Sequence, residues 1–163
     1  MRPEVVVGKV IDVRPHPERD FVRLARVDIG PVFGKVQIVF GGPDLVVAGD
    51  FVPVALPGAR LPDRKKMRVT KFRGETSHGM FCSAAELGWE PGGPDEVAIL
   101  RPSDLEPGDV LHKSDWPRIK AEETADHLKA REHWQQYRYG AKPAAEGSTP
   151  DGLRETVQAP AVG

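Results

Sequence analysis

The residues best suited to chemistry in this chain are concentrated in one stretch. Between Arg60 and Glu75 stand seven basic residues (Arg60, Arg64, Lys65, Lys66, Arg68, Lys71 and Arg73) against two acids, Asp63 and Glu75. That is a local net of +5 in a chain of formal charge −1. Directly behind it comes Arg73-Gly74-Glu75-Thr76-Ser77-His78-Gly79-Met80-Phe81-Cys82-Ser83, a turn built from two glycines, small hydroxyl residues and a methionine. Clustered Lys and Arg neutralise phosphates and release counterions. Glycines let backbone N–H groups approach closely, and a serine hydroxyl can donate to a phosphate or a 2′-OH. The chemistry indicated is the binding of a polyanion. A basic run alone is usually a solvated surface; the adjoining turn is what favours a site.

Other chemistries fit less well. Ser77, His78 and Cys82 resemble a nucleophile with its base, yet no carboxylate partner is defined, so Cys82 reads as a buried structural cysteine and no catalytic residue is expected. The five histidines are scattered and one cysteine cannot complete a usual zinc set, so neither a metal nor another cofactor is expected. His16, between Pro15 and Pro17, reads as a loop residue. With one cysteine, no secretory leader pattern and no run of the roughly 18–20 apolar residues a membrane helix needs, the expectation is a cytoplasmic protein without a membrane partner. Residues 84–111 carry seven acids against Arg101 alone, a net of −6. Basic and acidic segments in succession orient a polyanion as well as attract it.

The elements that must position these groups are short. The chain has 163 residues, 16 Pro and 17 Gly, which predicts one mostly β domain with many turns. Val5 to Val13 reads as a first strand with Val5, Val7, Ile11 and Val13 on one face and Gly8 at a bend. Phe21 to Ile29, Lys35 to Phe40 and Phe51 to Leu56 follow as strands. Met67 to Phe72 alternates Met67, Val69 and Lys71 against Arg68, Thr70 and Phe72, so the basic side chains do not all share a face. Ser83 with Glu86 forms a capping box over one helical turn that Gly88 ends. Val97 to Leu100 and Val110-Leu111 read as closing strands, and Phe21, Phe33, Phe40, Phe51 and Phe72 as core. From Ser114 the texture changes. Arg118 to Tyr139 is predicted as one helix, its apolar residues forming no continuous stripe. Trp116, Trp134 and the two tyrosines serve either base stacking or packing. Residues 141–163 are expected to be disordered.

This arrangement suits a small β-barrel of the OB type. Val7-Gly8-Lys9-Val10, Pro15-His16-Pro17, Val27-Asp28, Gln37-Ile38-Val39, Val52-Pro53-Val54-Ala55-Leu56-Pro57-Gly58-Ala59, Arg73-Gly74, Ser77, Gly79-Met80, Cys82-Ser83 and Glu86-Leu87-Gly88 carry a closer resemblance. Over residues 5 to 111 the chain resembles the tRNA-binding OB-fold domain found near the N-terminus of bacterial phenylalanyl-tRNA synthetase beta subunits and in stand-alone tRNA-binding proteins. It departs from that pattern at Glu18-Arg19, Phe40, Asp44 and His78. An appended helix (114–140) and a tail (141–163) lie outside the resemblance, which itself implies an OB-fold five-stranded barrel with extra short strands (residues 1–113). It implies a stand-alone, non-catalytic tRNA-binding protein that holds structured RNA by phosphate and shape contacts. Lys65, Lys66, Lys71, Arg73, Ser77, His78, Gly79 and Met80 would face the RNA. A homodimer is implied, with an aminoacyl-tRNA synthetase or unfolded protein as further partners. The competing function is a chaperone-like protein-interaction module of the same fold.

Overall fold

The computed structural model describes residues 4–41, 44–62 and 66–135. Four longer strands, β1 (Val5–His16), β2 (Arg19–Asp28), β3 (Lys35–Gly41) and β4 (Phe51–Ala55), are followed by three short ones, β5 (Thr70–Phe72), β6 (Glu75–Ser77) and β7 (Met80–Phe81). One antiparallel sheet has the order β3-β2-β1-β4-β7, and β5 pairs with β6 as a separate hairpin. β1 serves two neighbours, pairing through Val5–Lys9 with β4 and from Lys9 onward with β2. The sheet curls until its edges meet. His78 N–H donates to the Gln37 carbonyl at 2.9 Å, tying the turn before β7 to β3. This is the small-barrel architecture expected.

Side chains explain the curl. A Cβ on Gly8 would lie 2.7 Å from both Val27 Cγ1 and Val54 Cγ2, so only glycine lets the two neighbouring strands pack across β1. Inside lie Val6, Val10, Ala25, Val27, Ile38, Val52, Val54, Phe81, Val97 and Ile99. Burying each large apolar side chain is worth roughly 1.5–3 kcal/mol, so this layer dominates stability. The expected face of β1 is split. Val5 and Val7 pack outward with Leu100, Leu111, Trp116 and Ile119, Ile11 is exposed, and Val13 rejoins the inner core. A bulge between Val10 and Asp12 changes the alternation by one residue.

Three further expectations are corrected. Phe21, Phe33 and Phe72 are 46%, 58% and 39% exposed rather than core, whereas Phe40 and Phe51 do pack against it. Residues 97–100 and 110–111 are buried for the most part but form isolated bridges, Val97 with Ser83, Leu100 with Phe51 and Val110 with Val6, not continuous strands. The single helix from Arg118 is broken. A 3-10 turn (Lys113–Asp115) leads into α1 (Trp116–Ile119), Lys120 is extended at ψ 122, and α2 covers Ala125–Gln135. Tertiary pairing overrides helix propensity here, because Arg101 N–H reaches the Ile119 carbonyl at 2.6 Å and Ala121 N–H the Ile99 carbonyl at 3.0 Å. Residues 136–163, including the tail and both tyrosines, lie outside the described residues.

α2 returns to the barrel through polar contacts. Thr124 N–H donates to His127 Nδ1 at 3.0 Å, so the neutral imidazole carries its proton on Nε2 and donates to the Asp50 carboxylate at 2.8 Å. Arg131 pairs with Glu96 at 2.7 and 2.9 Å and also with Glu123. Arg23, 2% exposed, lies between the rings of Phe40 (4.4 Å) and Trp134 (4.5 Å). Trp134 therefore packs the helix on the barrel.

Candidate nucleic-acid interface

The basic stretch is presented by the β5–β6 hairpin. Its two turn residues, Arg73 at φ 50 and Gly74 at φ 87, adopt the left-handed conformations a two-residue hairpin needs. Glycine accepts this freely. Arginine does so at a cost of order 1 kcal/mol, and such outliers concentrate at functional sites. The hairpin is held by β3: Gln37 Nε2 donates to Glu75 Oε1 at 3.1 Å and to the Thr76 carbonyl at 3.0 Å. Arg14 on β1 reaches the other end of the same amide, its Nη2 donating to Gln37 Oε1 at 3.1 Å.

The expected site residues divide into presented and internal ones. Lys66, Lys71, Arg73 and His78 are exposed, as is Arg68. Lys65, with Arg64, lies outside the described residues. Ser77 is 3% exposed, and both of its hydrogen-bonding roles are taken: its Oγ accepts from Val39 N–H at 2.9 Å and donates to the Gly79 carbonyl at 2.9 Å. It closes the barrel. Gly79 is also buried, and a Cβ there would meet Val54 Cγ1 at 3.0 Å and the Ala55 carbonyl at 3.3 Å. Met80 is half-buried, pairs with Ala55 and packs beside Leu61, Met67 and Leu87. Cys82 is fully buried, as expected. The Ser83–Glu86 capping box forms, with Ser83 N–H to Glu86 Oε1 at 2.9 Å and Glu86 N–H to Ser83 Oγ at 3.0 Å.

On the other side of Met80 the surface changes sign. A depression of about 410 Å³ is lined by Met80, Phe40 and Phe81 together with Asp44, Glu86, Asp95 and Glu96. Burial pushes the Asp44 carboxyl up to about 6, although the N–H groups of Leu45 and Val97 and the Arg23 charge oppose the rise. Burial likewise lowers the Arg23 guanidinium to about 10, with Asp44 pulling it back. Cations on one side of the turn and carboxylates on the other would draw a polyanion toward the hairpin and repel it from the depression.

Residues 5–110 match the family model described as "Putative tRNA binding domain". The chain belongs to the tRNA-binding domain family. Curated relatives of this tRNA-binding domain include the phenylalanine–tRNA ligase beta subunits of Symbiobacterium thermophilum, 43% identical over 118 residues, and of Neisseria meningitidis serogroup B, 48% identical over 96. These alignments cover 69% and 59% of this chain but only 13% and 12% of the subunits. A solved MetRS related protein from Pyrococcus horikoshii is similar at a TM-score of 0.47 and 17% identity, over 68% of this chain and 90% of that one. α1 and α2 lie beyond the matched tRNA-binding segment.

Sequence reasoning missed Arg14 and Gln37 as neighbours of the hairpin, and Phe72 as an exposed member of it. Gln37 stands 38 residues from Glu75 and 39 from Thr76, and no local pattern announces that pairing.

Proposed function

We propose that this chain holds tRNA through phosphate and shape contacts as a stand-alone, non-catalytic module acting in trans. One observation carries the reading: Lys66, Arg68, Lys71 and Arg73 all face solvent along one hairpin and its approach, and that hairpin is anchored to the barrel of a tRNA-binding domain. An anchored hairpin presents its cations to phosphates without first having to order its backbone. The return of α2 to Asp50 and Glu96 supports a self-contained unit. Pairing of two copies and residence in the cytoplasm belong to the same proposal; a monomeric mass by light scattering removes the first.

The test is binding of the purified chain to bulk tRNA across a salt series. Log affinity is expected to fall steeply with log salt, and Lys71→Ala with Arg73→Ala to lower affinity and reduce the slope by roughly one to two, close to one per lost phosphate contact. An unchanged slope and affinity in that variant refutes the reading. Binding of unfolded polypeptide that tRNA does not displace supports the chaperone-like alternative.

A further inference from the structure

We propose that Phe72 is a stacking platform for an unpaired base of the bound RNA, and that His16 is the positioning residue that holds it ready. The inference rests on the tRNA-binding reading and adds a base-contacting subsite to its phosphate contacts. Phe72 ends β5 between Lys71 and Arg73, and the residue is 39% exposed. A large aromatic side chain in the middle of a cationic hairpin here stays partly open to water. It offers a π-face where an RNA backbone would be held.

The ring is also fixed. His16 is completely buried, and its imidazole stands 5.6 Å from the Phe72 ring at an interplanar angle of 76°. His16 Nδ1 accepts from Glu18 N–H at 2.9 Å, so the neutral ring keeps its proton on Nε2. That N–H donates to the Phe72 carbonyl at 3.2 Å. The other strand is held as well, since Glu75, the cross-strand partner of Phe72, accepts from Gln37. The Phe72 ring thus meets a buried, singly oriented imidazole edge to face, and the residue still keeps part of its surface open to solvent. Few rotamers remain to be lost on binding.

Cations alone bind any nucleic-acid backbone, whereas an aromatic face binds only bases that are not already stacked in a helix. Phe72 therefore selects RNA that displays unpaired bases, as loops and ends of structured RNA do. Duplex RNA hides these faces.

The experiment compares a tRNA transcript with a blunt-ended RNA duplex of similar length, using the full chain and its Phe72→Ala, Phe72→Trp and Lys71→Ala/Arg73→Ala variants. Phe72→Ala is expected to weaken tRNA binding by roughly fivefold to a hundredfold, the range of one lost base stack. Its salt slope and its duplex affinity should stay those of the parent, because no cation is removed. Phe72→Trp should bind tRNA at least as well as the parent. For His16, the Gln substitution carries its amide donor out to the Nε2 position, whereas the shorter Asn amide ends at the Nδ1 position and leaves the Phe72 carbonyl without its donor; circular dichroism identifies folded variants. His16→Gln should retain most of the preference for tRNA over duplex and His16→Asn should lose it. Equal binding by these two overturns the positioning role. Parent-like tRNA affinity in Phe72→Ala, with affinity and slope lost in Lys71→Ala/Arg73→Ala, overturns the stacking proposal and leaves the tRNA reading intact. A parent protein that does not bind tRNA overturns both.

Discussion

Replacing Ser77 with alanine separates a barrel-closing role from an RNA-contacting one. Ser77 is 3% exposed, and its hydroxyl joins Val39 N–H to the Gly79 carbonyl, each at 2.9 Å. Its removal leaves a donor and an acceptor in the interior without that partner. Such a group costs roughly 1–3 kcal/mol, and partial relaxation brings the pair to about 2–4 kcal/mol. At about 4 °C per kcal/mol for a domain of this size, the midpoint of thermal unfolding should fall by roughly 8–16 °C. Circular dichroism melts of the parent and Ser77→Ala measure this directly. A tRNA salt series at about 10 °C, where both are folded, should then give the same slope, because no cation has been lost. An unchanged melting midpoint together with a large loss of affinity would refute the structural reading and place the hydroxyl against RNA.

Gly79→Ala tests the packing beside it. A Cβ 3.0 Å from Val54 Cγ1 and 3.4 Å from Ile38 Cδ1 overpacks the barrel, so a loss of about 1–3 kcal/mol in urea unfolding is expected, and parent-like stability would show that the turn relaxes freely. Asp44 gives stability a pH dependence of definite sign. Its carboxyl is raised to about 6 in the folded chain from about 4 when unfolded, so the folded state holds the proton more tightly. This contribution is complete below about pH 4, is lost as pH rises through about 6, and amounts to roughly 3 kcal/mol over that window. Urea titrations of the parent and Asp44→Asn between about pH 4 and 7 should diverge by that amount; parallel profiles would remove Asp44 as the cause.

Much of the protein is legible in its amino-acid order. The +5 run, the Gly74, Gly79 and Gly88 turns, the four longer strands and the Ser83–Glu86 box depend on neighbours within a few residues, so charge density, alternation and capping chemistry reveal them. The spacing from Arg73 to Ser83 likewise carries the family. Sequence alone puts Ser77 and Gly79 beside Met80 but does not say which way they face. That is decided by contacts across the fold: Ser77 meets Val39, 38 residues away, His16 meets Phe72 across 56, and His127 meets Asp50 across 77. Phe72 lies outside the core, and the helix from Arg118 stops at Lys120, for the same reason. A bulge in β1 and the pairing of residues 99–101 with 119–121 determine which side chains the barrel has room to bury and which backbone groups its edge must satisfy. Local chemistry supplies the cationic and hydroxyl groups, and closure of the sheet selects the ones that reach solvent.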